Sequence, residues 1–149
     1  GDNKSTTGMA VSSKQVRTLC NHFGVEELIP RCEHLLRQFH GKARFRYGSS
    51  RDAVSVGTVV VYIIMRSEGK AVGLAEMADV QQTDMFLLGR LYKTVTRILG
   101  YAPPTITTES RLVRTLGTIQ SKLPGEHVGE FRLRSKIILD VVLNQLLYA

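Results

Sequence analysis

The stretch Asp52–Arg66, DAVSVGTVVVYIIMR, limits the possible folds more than any other part of the chain. It carries no charge between its two ends. A bilayer span takes roughly 20 apolar residues, so a run of this length belongs in the core of a globular fold. Val56, Val59, Val60, Val61, Ile63 and Ile64 are β-branched, and local propensity there favours strand. A buried strand needs pairing partners, and no second stretch alternates apolar and polar residues over a strand length. The flanking segments repeat instead at three and four residues, the helical period. The run is therefore read as a central helix, apolar nearly all round and wrapped by amphipathic helices. The fold class that follows is all-α, and the competing reading is a buried strand in a small α+β domain.

The wrapping helices are legible in order. Residues 1–10 read as a flexible tail. Ser12 or Ser13 can cap a helix over Lys14–Phe23 whose face is Val16, Leu19, Cys20 and Phe23, and Gly24 ends it. Glu26 and Glu27 suit the start of a second helix, with Leu28, Cys32, Leu35, Leu36 and Phe39 inward and Pro30 confined to its first turn. His40–Ser50, HGKARFRYGSS, reads as a basic loop with Phe45 and Tyr47 set among arginines. After the central helix come a short helix over Leu74–Ala78, a turn, and a helix over Asp84–Leu99 with Thr83 as its N-cap. That helix buries Phe86, Leu87 or Leu88, Leu91, Val95 and Ile98. It exposes Arg90, Lys93 and Arg97 on one stripe.

Gly100–Thr107, GYAPPTIT, is a linker that Pro103 and Pro104 stiffen. Thr108 then caps a helix over Glu109–Leu123, with Leu112, Val113, Leu116 and Ile119 inward. Pro124 and Gly125 break it. A final helix spans Arg132–Tyr148 and is strongly apolar in Ile137, Ile138, Val141, Val142, Leu146 and Leu147. The order after the linker echoes the order before it, as in an internal repeat that stops early. The last helix is apolar enough to expect a cover that this sequence does not contain.

Charge and cysteine usage narrow the function classes. The net charge is +7, and the excess is local. Residues 11–51 hold eight Lys/Arg against three acids, whereas residues 52–100 hold five of each sign. A localised basic excess points to a polyanion or an acidic protein surface as partner. The two cysteines, Cys20 and Cys32, fall on apolar helix faces and read as buried thiols rather than a disulfide framework. The four histidines make no metal-ligand spacing. Paired carboxylates, a nucleophile elbow and a phosphate-cradling glycine loop are all missing, so the chain reads as a non-enzyme without cofactor or small-molecule substrate. His22, His34 and His40 read as surface or partly buried helix residues.

Three stretches carry a family resemblance: RDAVSVGTVVVYIIMRSEGK, GLAEMADV and LLGRLYKTVTRILG. In order and spacing they resemble the core domain of transcription factor IIB and its relatives, the cyclin-like fold. The first is similar to that family's small-apolar run with a Tyr-Ile pair, the second to its short L-x-E-hydrophobic-A helix, and the third to the pattern that closes its first repeat. The resemblance implies about five helices around a central one over residues 11–101, a linker at 102–107, and a partial second repeat over 108–149. It implies a general transcription initiation factor in the nucleus, with TATA-binding protein, promoter DNA and RNA polymerase as partners and no membrane.

Carried over by position, Arg51 matches the basic residue of the family's DNA-touching loop. Arg90 and Lys93 match its basic helix that meets polymerase or other factors. The DNA-binding set expected here is Lys42, Arg44, Arg46 and Arg51, with contact driven by phosphate. The partner-binding set is Arg90, Lys93 and Arg97. Ser49 and Ser50 replace a more basic loop, and the central run is richer in valine than the family's alanine-rich form. The rival reading is a cyclin-like scaffold or kinase activator that binds protein alone.

Overall fold

A computed structural model of the chain describes residues 2–43, 50–70, 72–101, 103 and 107–148. Among these all regular secondary structure is helical, without a strand. The elements in chain order are α1 (Asp2–Phe23), a 3-10 turn (Glu26–Leu28), α2 (Ile29–Ala43), α3 (Ser50–Ser67), α4 (Leu74–Gln81), α5 (Met85–Leu99), α6 (Thr107–Ser121) and α7 (Gly125–Tyr148).

The apolar run forms α3, and its β-branched residues lie inside a helix because they are enclosed on every side. Val56, Val59, Val60, Val61 and Ile63 have no solvent exposure, and α1, α2, α4 and α5 all pack on this one rod. A helix satisfies its backbone hydrogen bonds within itself, so it can be buried completely without pairing partners. Thr58 and Ser67 send their hydroxyls back to the carbonyls of Val54 and Ile63, which keeps both polar groups satisfied within the element.

The interface of α1 with α3 is the most extensive in the molecule, and it closes on Gly57. A Cβ there would stand 2.7 Å from the Ser12 carbonyl oxygen and 3.0 Å from the Gln15 Cβ. Only glycine lets the two backbones meet at this distance. Beside the crossing, Gln15 Nε2 donates to Thr58 Oγ1 at 3.1 Å. Ser12 Oγ donates to the Ala53 carbonyl at 2.7 Å. With that proton committed, the 3.2 Å contact between Ser12 Oγ and His40 Nε2 has the imidazole as donor. The pair ties α1, α2 and α3 together, and the hydroxyl is not available as a nucleophile.

Several expectations are corrected here. Residues 2–10 continue α1 instead of forming a tail, and Met9 packs on the core. Ser12 is accordingly a buried mid-helix residue, not a cap. Its polarity at the edge of an apolar stripe imitates a cap in sequence, whereas its partners lie on two other helices. His40–Ala43 belongs to α2, with His40 buried; Arg44, Phe45, Arg46 and Tyr47 lie outside the described residues. The N-cap of α5 is Asp84, whose carboxylate accepts from the Phe86 amide at 2.8 Å, and the helix buries Leu88 and exposes Leu87. The α4–α5 turn runs through Gln82 in the left-handed region, φ 60. α6 begins at Thr107, and Ile119 is exposed because the helix docks through Leu112, Val113 and Leu116. α7 starts at Gly125, well before Arg132, because the Pro124 carbonyl accepts from His127 and opens the helix.

α6 and α7 form a hairpin docked on α4 and α5. Its inward residues are Phe131, Ser135 and Leu139. The opposite side of α7 is bare: Leu133, Ile137, Ile138 and Val141 are 62%, 58%, 48% and 53% exposed. The side chains of Leu146 and Leu147 lie outside those described.

Two stability measurements follow. Gly57→Ala should destabilise the chain by about 1–3 kcal/mol in urea unfolding, the cost of overpacking, despite the better helix propensity of alanine. His40 is held below its ordinary 6.5 by burial. The unfolded chain therefore takes up a proton that the folded one refuses, and stability should fall as pH drops through 6.5. The His40→Gln variant should lose that part of the slope, measured as the difference between the two unfolding curves across pH.

Candidate functional site

The clearest concave surface lies between α5 and α6. The reason for a groove here is the spacing of small residues on both helices. Gly89 on α5 sits where an added Cβ would be 3.4 Å from Leu74 Cδ2 and from Val113 Cγ1, and Gly117 on α6 sits where one would be 3.3 Å from Phe86 Cδ1. The helices therefore come close at their glycines and leave a cleft of about 390 Å³ beside them. Tyr62, Leu74, Phe86 and Val113 supply an apolar and aromatic floor. Tyr62 and Tyr92 meet edge to face with centroids 5.4 Å apart, a favoured aromatic geometry.

The rim is cationic. Arg90 and Lys93 reach it from α5, and Arg114 from α6. Arg97 continues the exposed side of α5 beyond the cleft. Among the described residues none of these four makes an ion pair. Two nearby acids are engaged elsewhere. Asp84 caps α5 with one carboxylate oxygen and with the other accepts from Arg132 at 3.0 Å and from Gln120 at 3.5 Å. Asp79 accepts from Lys136 at 2.9 Å. Asp84 thus serves the start of its own helix and Asp79 pairs with α7, so neither neutralises the stripe.

Asp84 also sets the shape of the site. One carboxylate fixes the first turn of α5, where Phe86 stands, and receives donors from both helices of the α6–α7 hairpin. The groove walls are thus referred to a single group that is mostly buried. In that setting an Arg–Asp pair with an added amide donor is held more firmly than a free surface pair.

The expected DNA-contact set is less concentrated. Arg51 is exposed in the first turn of α3. Lys42 donates its ammonium to the Leu99 carbonyl at 3.3 Å, where a cation complements the C-terminal end of α5. Arg44 and Arg46 lie outside the described residues. Sequence reasoning overlooked Arg114 and the aromatic floor. Arg114 stood on the polar side of a separate helix, and only the docking of α6 against α5 brings it to Arg90. Among the described residues no cluster of His, Cys, Asp and Glu is placed to hold a metal ion, and no helix is long and apolar enough to cross a membrane.

Replacing Asp84 with alanine should cost more than replacing Arg132. The first removes a helix cap, worth about 1 kcal/mol, together with the ion pair; the second leaves the cap in place. Urea unfolding of the two variants measures the difference. Comparison with protein-family models, curated proteins and solved structures finds no match to this chain.

Proposed function

We propose that this chain is a general transcription initiation factor resembling transcription factor IIB, joining TATA-binding protein on promoter DNA to RNA polymerase in the nucleus. The observation that carries the reading is the α5–α6 groove: Arg90, Lys93 and Arg114, without acidic partners among the described residues, around an apolar floor. Uncompensated cations beside apolar surface suit an acidic protein segment that also offers a bulky apolar side chain. Charges so placed steer the encounter, and the floor supplies the buried contact. The three stretches that carry the family resemblance fall on α3 with its following turn, on α4 with its Gly73 cap, and on α5 with its Gly100 cap. Each thus falls on one helix with an adjoining turn or cap. Arg51, exposed at the start of α3, makes no ion pair among the described residues, which suits contact with phosphate.

A second reading keeps one observation of its own. The exposed apolar side of α7, from Leu133 to Val141, is the kind of patch by which a cyclin-like scaffold binds protein without DNA.

The deciding experiment is a gel shift with TATA-binding protein, promoter DNA and RNA polymerase, comparing the parent with Arg90→Glu/Lys93→Glu. The parent should join the DNA complex and recruit polymerase to it, and the variant should lose that recruitment. Thermal stability should stay within about 0.5 kcal/mol, as for surface substitutions. A parent that never joins the DNA complex would sink the initiation-factor reading and leave the protein-only scaffold. A variant that recruits polymerase as well as the parent would reduce the stripe to a solvated face.

A further inference from the structure

The groove between α5 and α6 has two properties that a protein-contact face does not require. Its volume, about 390 Å³, lies within the range of roughly 300–1,000 Å³ usual for small-molecule pockets. Its floor is also preformed. Phe86, Leu74 and Tyr62 are 4%, 6% and 9% exposed and belong to the apolar core around α3. Phe86 is held further by the helix start that Asp84 caps and by the bare face of Gly117, where a Cβ would stand 3.3 Å from its ring. A floor that is already part of the core does not have to be ordered by its occupant, which removes one of the costs of binding.

The polar groups of the lining define the charge of that occupant. Arg90 and Lys93 from α5 and Arg114 from α6 line one cavity, and none of them makes an ion pair among the described residues. Thr118 and Ser121 line it too, but they donate to the Arg114 and Thr118 carbonyls at 3.1 and 2.7 Å. Their protons are thus committed within α6. Among the described residues no acidic side chain lines the cavity. Guanidinium and ammonium groups are donors only. A complementary ligand therefore brings negatively charged acceptors at one end and an apolar body at the other.

We propose that the α5–α6 cleft is a binding site for an amphipathic small-molecule carboxylate, a ligand with an aromatic or alkyl body and one acid group. The body lies on Phe86, Leu74 and Val113 and displaces water from apolar carbon. The carboxylate sits at the rim. There the planar guanidinium groups of Arg90 and Arg114 suit its two oxygens, and Lys93 adds a point charge. An acid held in this way joins cations of two helices that otherwise repel each other, so it fastens α6 to α5. Apolar burial supplies the affinity for the body, and the rim selects the acid over an uncharged counterpart. The ligand uses the same cations as the initiation-factor reading without depending on it.

The test is calorimetric titration of naphthoate, and separately of octanoate, into the chain alone. DNA and protein partners are absent, so this outcome and that of the gel shift are independent. The expected result is one site per chain for at least one of the two acids. The thermal midpoint should rise with its concentration, and its affinity should fall with added salt. The corresponding alcohol, which keeps the body and lacks the charge, should bind at least about tenfold more weakly, the loss of a charged hydrogen bond. Acetate, which has the charge and no body, should leave the thermal midpoint unchanged. Arg90→Ala and Arg114→Ala should each weaken the acid by about tenfold and fold like the parent, as exposed positions allow. Ile137→Ser, on the bare side of α7, should leave binding unchanged, which separates the cleft from the other exposed apolar surface. The proposal is overturned if neither acid binds, or if the alcohol binds as well as the acid. It is equally overturned if binding survives both arginine substitutions or is lost with Ile137→Ser.

Discussion

The molecule depends on how closely two helices can approach at Gly57. A helix buried on all sides must be reached by its neighbours from several directions, and each neighbour adds a constraint on its orientation. α1 comes closest, with its Ser12 carbonyl against the bare Cα of Gly57. From that contact the polar groups nearby take their partners. Gln15 meets Thr58, Ser12 meets Ala53, and His40 of α2 meets Ser12. Four apolar neighbours would fill the space as well, but they would not fix the rotation of α1 about its axis. Buried hydrogen bonds have that directional effect because an unsatisfied partner costs more than a satisfied one gains.

Around this rod the remaining helices are arranged by a second constraint, centred on one carboxylate. Asp84 ends the α4–α5 turn, begins α5, and receives Arg132 and Gln120 from the hairpin. The cationic groove is the by-product of that docking together with the glycines at positions 89 and 117. Among the described residues its charge is left uncompensated, since Asp79 and Asp84 already have structural partners. The site and the fold thus use the same residues for different ends, and the cations are left without neutralisation by the geometry that builds the cleft.

Much of this was legible from residue spacing. The three-and-four period placed the inward face of the second helix, where Leu28, Cys32, Leu35, Leu36 and Phe39 are all buried, and part of that of α5, where Phe86, Leu88 and Val95 are buried and Leu91 and Ile98 partly so. The valine-rich run reads as helix because no strand partner exists elsewhere and its flanks keep the helical period, although its own propensity points the other way. What spacing did not reveal was which helix faces meet. Ser12 resembles a cap because serine at the edge of an apolar stripe usually is one, and its real partners lie 28 and 41 residues away. Arg114 was invisible for the same reason. A site made from two helices across a linker is a property of their docking, and docking here rests on glycines and one aspartate rather than on a local pattern.

The three duties of Asp84 also limit how the sequence can drift. Asparagine would keep the cap but turn an N–H₂ group toward the Arg132 guanidinium, donor against donor. Glutamate would carry the charge one methylene too far to close on the Phe86 amide. Alanine would forfeit everything. The groove cations face no such restriction, since arginine and lysine can exchange wherever a single charge suffices. In any lineage that keeps this architecture, the aspartate behind the groove is therefore tightly held, while the surface presented to a partner can be retuned one charge at a time.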